Sequence, residues 1–325
     1  MIKILFNGFR HGHINVLYKK VCESSVCEVA GCIEENEEAR ILAEENLGIN
    51  FSEKSYEEWL KTDIDAVAIG DAYGRRGKEI ILALKHGKHV ITDKPVCITT
   101  EELSEIKSLC QKNNLKISCM LDLRYVPQML LANEILKSGE LGEVKNIAFN
   151  GQHCIDYANR PKWYFEEGMH GGTINDLAIH GIDLVRMFTG MEFTKVDAAR
   201  VWNSYAYKNK DFKDCALFMA RLSNGAGVIA DVSYSAPKQV SPLPTYWEFR
   251  IWCEKGMISF CCADLAVTVY KEESSKRIES VENKTDYLDE FVKSIETNDN
   301  SITQNVLKST ETALYIQSVA DKCSD

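Results

Sequence analysis

No stretch of this 325-residue chain approaches the roughly 18 consecutive apolar residues of a membrane-spanning helix. Nor do its 12 cysteines include a Cys-x-x-Cys pair, the spacing of many zinc and redox centres. They are spread through apolar segments, so they are expected to be reduced thiols that pack. Cys261 and Cys262 are neighbours in a strand pattern and point to opposite faces. Excess positive charge is also missing. Lys and Arg number 38 against 48 Asp and Glu, a net charge of −10, which opposes binding to phosphate backbones or anionic lipid. Neither nucleic acid nor a membrane is an expected partner. There is no internal repeat, low-complexity tract or flexible linker. Met1-Ile-Lys-Ile-Leu-Phe runs directly into a strand pattern without a charged leader or cleavage site, so a cytoplasmic location is expected.

What remains is an ordinary globular composition, 45% hydrophobic and 26% charged. The length fits two domains. Over residues 1–121, strand patterns at 2–6, 28–33, 66–69, 89–92 and 116–120 alternate with helical patterns at 15–22, 36–46, 77–86 and 100–113. That alternation predicts an α/β domain, a doubly wound parallel sheet of the Rossmann kind. From residue 122 the pattern changes. A helix over 127–137 and a strand from about 144 precede a second helix over 173–189. Strand patterns follow at 195–203, 215–222, 227–235, 246–253, 257–262 and 266–271, joined by short links such as Ser223-Asn-Gly, with closing helices at 285–296 and 302–322. Residues 122–325 are therefore expected to form an α+β domain with a large open, mainly antiparallel sheet. The closing helices are expected to be able to pack back on the first domain.

After the first strand comes Asn7-Gly8-Phe9-Arg10-His11-Gly12-His13, where a Rossmann turn presents backbone amides to a pyrophosphate at a helix N-terminus. The match to Gly-x-Gly-x-x-Gly is incomplete. Gly8 suits the tight turn, Arg10 and His13 stand where the second and third glycines belong, and Gly12 is one place out of register. The alternative is a plain strand-to-helix connection. Glu34 ends the second strand pattern, where a carboxylate accepts hydrogen bonds from an adenosine ribose. With Glu35 beside it, the pair repels a 2′-phosphate and favours NAD over NADP. The same acids also suit a helix N-terminus. The fourth strand pattern ends in Asp93-Lys94-Pro95, a charged pair at the carboxyl edge of the parallel sheet, where such folds bind ligands.

In the second half, Gly171 and Gly172 open a helix carrying Asp176, His180 and Asp183 on one stripe of an otherwise apolar surface. Three readings of the stripe compete: a structural Asp/His pair, an Asp-x3-His-x2-Asp metal site, and a general acid/base in a substrate cleft.

Asp93-Lys94-Pro95 and its lead-in Ala83-Leu-Lys-His-Gly-Lys-His-Val90 resemble the Glu-Lys-Pro signature of the glucose-fructose oxidoreductase and inositol dehydrogenase family, called Gfo/Idh/MocA. Gly171-Gly172 with Asp176 and His180 is similar to that family's second signature. The connecting segment Ile135-Leu-Lys-Ser-Gly-Glu-Leu-Gly-Glu-Val144 fits as well, so the resemblance spans essentially the whole chain. It implies an NAD(P)-dependent enzyme transferring hydride between the nicotinamide and a secondary alcohol or ketone of a sugar, cyclitol or related polyol. His180 becomes the candidate base for the hydroxyl proton. Lys94 stabilises the developing alkoxide, and Asp176 orients the imidazole or binds a substrate hydroxyl. Asp183 is left as structural. The cofactor set implied is Gly8, Phe9, Arg10, His11, Gly12, Glu34, Asp71, Tyr73, Asp93 and Lys94. Arg124, Trp163 and Tyr164 join Asp176 and His180 on the substrate side. Trp163 is the candidate to pack on a sugar ring, with a core or interface aromatic as the alternative.

This chemistry needs no metal, and none is expected. Asp71-Ala-Tyr-Gly-Arg-Arg76 takes the place of the family's loop along the cofactor and departs from it in sequence. Two other functions fit the same fold, a non-catalytic nucleotide- or sugar-binding regulator and an NAD-dependent glycosidase. The family's sheet often pairs with a second subunit's, and the strand patterns at 216–222 and 227–235 carry apolar residues on both faces, so a homodimer or homotetramer is expected.

Overall fold

Short, mostly apolar runs make the strands of the first sheet. β1 (Ile2–Asn7), β2 (Cys27–Ile33), β3 (Ala66–Ile69), β4 (His89–Thr92) and β5 (Ile117–Cys119) lie in the order β2-β1-β3-β4-β5, and every neighbouring pair is parallel. Ile4, Leu5, Phe6 and all four residues of β3 are fully buried, as a sheet covered on both faces requires. The computed structural model describes residues 1–238 and 243–323. It divides into two compact units. Unit 1 holds Met1–Leu121, Pro161–Gly171 and Thr285–Glu311, and unit 2 holds Asp122–Arg160, Gly172–Lys284 and the chain from Thr312.

Several helices of unit 1 carry their own start signals. α1 is His13–Glu23. α2 (Glu37–Leu47) is capped by Asn36, whose side chain accepts from the Ala39 amide, and α3 (Tyr56–Leu60) begins with a reciprocal Ser55–Glu58 capping box. α4 (Tyr73–Lys85) starts four residues earlier than the helical pattern from residue 77 implied, so most of the segment read as a cofactor loop is the first turn of a helix. The reason is local. Asp71 accepts from the Ala72 amide, and the Arg76 guanidinium returns to the Asp71 carbonyl at 2.7 Å. α5 is Thr100–Asn113.

Unit 2 opens with α6 (Pro127–Lys137), which has proline in its first turn. β6 (Val144–Gln152) follows. A turn of π-helix over Ile174–Ala178 leads into α7 (Ile179–Thr189). Then come β7 (Phe193–Trp202), β8 (Cys215–Leu222), β9 (Gly227–Ser233), β10 (Phe249–Cys253), β11 (Gly256–Phe260), β12 (Ala266–Lys271) and β13 (Ser274–Glu279), in sheet order β13-β12-β11-β10-β6-β9-β8-β7. All neighbours are antiparallel except β6 and β9. Beneath α7 lies a run of aromatics in which Phe149 stands 5.9 Å from Phe218 and 5.4 Å from Phe249, with Phe188 and Phe260 alongside. Each such ring contributes roughly 1.5–3 kcal/mol by leaving water. The other face of β8 and β9 leaves Leu217, Met219 and Ile229 about half exposed. α8 (Tyr287–Glu296) and α9 (Ser301–Lys322) complete the helices.

Candidate active site

The strand order of unit 1 reverses between β1 and β3, so ligands of such a sheet bind outside the carboxyl ends of these strands. Gly8 makes the first turn at φ +84°, and a Cβ there would stand 2.7 Å from the Asp71 backbone nitrogen. Only glycine lets the two strand-end loops approach this closely. At the start of α1, nothing lies within 4 Å of the place a Gly12 Cβ would occupy. That leaves open space at a helix N-terminus, the setting that stabilises a phosphate.

Between these glycines the loop is held by its own side chains. Phe9 turns inward onto Phe6, Tyr18 and Phe51. Its amide donates to Glu34 Oε2 at 2.5 Å, and the other Glu34 oxygen accepts from the Asn36 amide at 2.6 Å. Arg10 Nε lies 3.6 Å from Glu34 and 3.1 Å from Asp71, while Arg75 bridges Asp71 and Glu35 at 2.8 Å each. Burial raises the Glu34 carboxyl above its ordinary pKa, and burial together with Asp71 raises Glu79 well above its own.

Deeper in unit 1, the His11 ring links three elements. Nδ1 is hydrogen-bonded to Asp93 at the end of β4, and Nε2 lies 3.0 Å from the Tyr164 hydroxyl and 3.1 Å from that of Tyr73. The two hydroxyls are 2.6 Å apart. Burial brings the His11 pKa down to about 4, so the ring is neutral near pH 7. Burial pulls the other way on Asp93, but His11 and the Arg76 guanidinium outweigh it and hold this carboxyl well below the usual range. Arg76 is fully buried, 3.2 Å from Asp93 Oδ2, and also bonds the Lys94 and Pro95 carbonyls at 2.5 and 3.3 Å. Lys94 is 3% exposed, with Nζ 5.7 Å from the centre of the Tyr73 ring.

The Pro161–Gly171 segment seats against α4 because Gly74 has no side chain. A Cβ there would meet the Gly168 carbonyl at 2.1 Å, and the Gly74 amide donates to the Met169 carbonyl. Trp163 and Tyr164 on this segment are buried among His11 and Tyr73, and the Trp163 indole N–H donates to the Arg10 carbonyl at 3.3 Å. Within unit 1 they pack as aromatics around the loop after β1.

In unit 2 Gly172 sits tightly against Gln317. Gly172 has φ +94°, and a Cβ there would stand 2.3 Å from the Gln317 side chain, which accepts from the Ile174 amide. This turn starts the π-helical segment, a form often found at functional sites. The stripe then separates into three pairings. The Tyr234 hydroxyl donates to Asp176, His180 Nδ1 lies 3.8 Å from Asp122 Oδ1 with the ring against Trp247, and the Arg124 guanidinium bonds Asp183. Asp176 is 1% exposed, His180 5% and Asp183 0%. The stripe thus forms no common ligand set. Arg124, expected on the substrate side, holds the buried Asp183 carboxylate. Arg76, Asp122 and Tyr234 were not singled out in the sequence.

A parallel sheet with an anion-ready helix start and an acid ending its second strand, in one chain with a large sheet domain that buries Asp176 and His180 on one helical stripe, defines the class of two-domain dinucleotide-binding proteins. Comparison with known proteins is specific: residues 6–120 match the model of the oxidoreductase family with an NAD-binding Rossmann fold, and residues 129–259 match the GFO/IDH/MocA C-terminal domain. The chain belongs to the Gfo/Idh/MocA family. Levoglucosan dehydrogenase of Pseudarthrobacter phenanthrenivorans is 29% identical over 141 residues, 42% of this chain and 35% of that protein. The scyllo-inositol 2-dehydrogenase (NAD(+)) of Bacillus subtilis is 28% identical over 193 residues, 59% of this chain and 55% of the relative. These matches therefore span about a third to a half of the relatives' own lengths. Among solved structures, a putative oxidoreductase from Erwinia carotovora atroseptica superposes with a TM-score of 0.89 at 22% identity, covering 98% of this chain and 99% of the other.

Proposed function

We propose that this protein is an NAD-dependent dehydrogenase that interconverts a secondary alcohol and a ketone on a sugar, cyclitol or related polyol. The observation that carries the reading is His180, a 5%-exposed imidazole at ion-pair distance from Asp122, one turn beyond an Asp176 fixed by Tyr234. A polar pair buried in an apolar helix is a functional arrangement more often than chance allows. The relatives named as dehydrogenases of levoglucosan and scyllo-inositol support the substrate class.

When bound, the nicotinamide would supply a hydride acceptor; the open N-terminus of α1 would hold the pyrophosphate of the dinucleotide and Glu34 its adenosine ribose. His180 takes the hydroxyl proton, and Asp122 stabilises the imidazolium that results. Lys94 donates to the reacting oxygen and stabilises its charge in the transition state. Asp176, held by Tyr234, accepts a hydrogen bond from a substrate hydroxyl. The preference for NAD follows from charge. Glu34, Glu35, Asp71 and Glu79 lie around Arg10 and Arg75, so carboxyl groups outnumber guanidinium groups here and disfavour a 2′-phosphate. A second copy of the chain is proposed to cover the half-exposed Leu217, Met219 and Ile229, giving a homodimer or homotetramer.

The test is to titrate pure protein with NADH and NADPH by fluorescence, then screen polyols with NAD for growth of nicotinamide absorbance. His180→Ala is expected to lower turnover by about 10²–10⁴-fold while leaving NADH affinity unchanged. NADH binding with no turnover across a broad polyol panel would instead establish the regulator reading.

A further inference from the structure

We infer that His11, His13 and Asp93 form a binding site for one transition-metal dication of the Zn²⁺ or Co²⁺ type. Among the described residues they are the group whose potential ligand atoms all lie within 4.8 Å of one another. The loop after β1 supplies two imidazoles in a His-x-His spacing, and the end of β4 supplies a carboxylate some eighty residues later. The inference does not rest on the dehydrogenase reading.

The geometry suits an ion of this size. Tetrahedral zinc holds nitrogen and oxygen ligands at about 2.0–2.2 Å, which spaces them roughly 3.4 Å from one another. His13 Nδ1 and Asp93 Oδ1 are 3.2 Å apart, and the His11 and His13 rings stand edge to face with centroids 4.5 Å apart. His11 Nδ1 now bonds Asp93 directly, and an ion would enter by separating the two. Access is from the solvent side. The His13 side chain is 47% exposed, whereas those of His11 and Asp93 are 10% and 0% exposed. Three protein ligands with an outward-facing fourth position form an open site, the coordination that leaves room for water.

The surroundings already hold the ligands. Nε2 of His11 sits between the hydroxyls of Tyr73 and Tyr164. A hydroxyl both donates and accepts, so it serves the tautomer with Nδ1–H bonded to Asp93 and equally the one with Nε2–H, which frees the Nδ1 lone pair for the metal. Such outer partners orient a metal-bound imidazole. Arg76 at 3.2 Å and the Lys94 amide at 2.7 Å share the Asp93 carboxylate, leaving less negative charge for a cation. That argues against Mg²⁺ and Ca²⁺, which need several oxygen ligands, and for an ion whose affinity comes from imidazole.

The experiment uses the untagged full-length protein, stripped with chelator, then titrated with Co²⁺ in visible absorbance and with Zn²⁺ by displacement. One equivalent of Co²⁺ with nitrogen/oxygen ligand-field bands and no thiolate charge-transfer band is expected, displaced by Zn²⁺ and not by Mg²⁺. His13→Ala, a half-exposed position, should weaken binding at least tenfold with an unchanged circular dichroism spectrum, and Tyr164→Phe should weaken it about tenfold. Absence of binding, binding unaltered in His13→Ala, equal affinity for Mg²⁺, or a thiolate band tracing the ion to cysteines each overturns the assignment. NADH titration of the same samples is read separately, so loss of cofactor binding and loss of the metal site are distinguishable.

Discussion

Gly181→Ala sets two opposed effects against each other on the helix that carries His180. By helix propensity alone the substitution should stabilise the protein, since alanine is better than glycine inside a helix by about 0.8–1.0 kcal/mol. Packing opposes this. A Cβ at Gly181 would stand 2.2, 2.5 and 2.6 Å from three atoms of the Phe149 ring, far inside van der Waals contact. Phe149 cannot swing aside freely, because it is stacked on Phe249 and meets Phe218 edge-on. α7 must then lift from β6 or the ring must leave its rotamer, and overpacking of this kind typically costs about 1–3 kcal/mol. Near the upper end of that range the net destabilisation is about 2 kcal/mol, a fall in melting temperature of roughly 4–8 °C for a domain of some 150–250 residues. Differential scanning calorimetry reads the shift. Phe149→Leu in the Gly181→Ala background should recover part of the loss, a coupling measurable by a double-mutant cycle. A Gly181→Ala protein as stable as the parent, or more stable, would show that α7 does not need this close approach.

Glu79→Gln should stabilise the protein more as pH rises. The folded pKa of Glu79 lies above its unfolded value of about 4.5, raised by burial and then by Asp71; the folded state therefore holds its proton longer, and stability is lost as pH climbs from about 4.5 towards the folded pKa. Urea midpoints of the two proteins should agree near pH 4.5 and separate by pH 8, and a constant gap counts against the assignment. Arg10→Ala removes one cation from the cluster around Glu34, so the NADPH-to-NADH ratio of dissociation constants should rise severalfold; a fall would remove the charge argument for NAD. In thiol titration of the native protein, the exposed Cys22 and Cys323 should react first. Cys27, Cys32, Cys97, Cys110, Cys119 and Cys215 are buried and should react only on unfolding, with burial raising Cys32 to a pKa of about 12. Early labelling of the buried group, read by peptide mass spectrometry, refutes the packing role. Size-exclusion chromatography with light scattering of Ile229→Lys should show smaller assemblies than the parent if the outer face of β8 and β9 is a subunit interface.

The strands of unit 1 were legible because each is a short, mostly apolar run set between helical patterns, with β3 buried along its whole length, a pattern that needs no knowledge of partners. β13 was not, because Ser274–Glu279 is almost entirely exposed and polar and has no buried face to alternate against. The sequence implied a mainly antiparallel second sheet, which it is, but pairing is not written in a strand's own residues, and the parallel contact of β6 with β9 was invisible. Among site residues, Glu34 and Asp93-Lys94 could be placed from their position at strand ends. Arg76 could not, since a basic residue in a helix's first turn looks solvated until Asp93 and two carbonyls are brought around it. Asp183 was set apart as structural, and in the fold it pairs with Arg124, which was expected to face substrate. The partner lies some sixty residues away, and only folding discloses the pairing.

The position of β6 in its sheet has a consequence for how the chain folds. β7, β8 and β9 can zip up as neighbours in sequence, as can β10 through β13, and neither group needs the other. β6 alone joins them, pairing Asn146 with Gly227 on one edge and Trp252 with Asn146 on the other, across sequence separations of roughly a hundred residues whose closure entropy is met before the contacts form. Folding of this domain should therefore be slow and limited by the insertion of one strand. Substitutions within β6 should slow refolding, whereas equally destabilising changes at the outer strands should mainly speed unfolding.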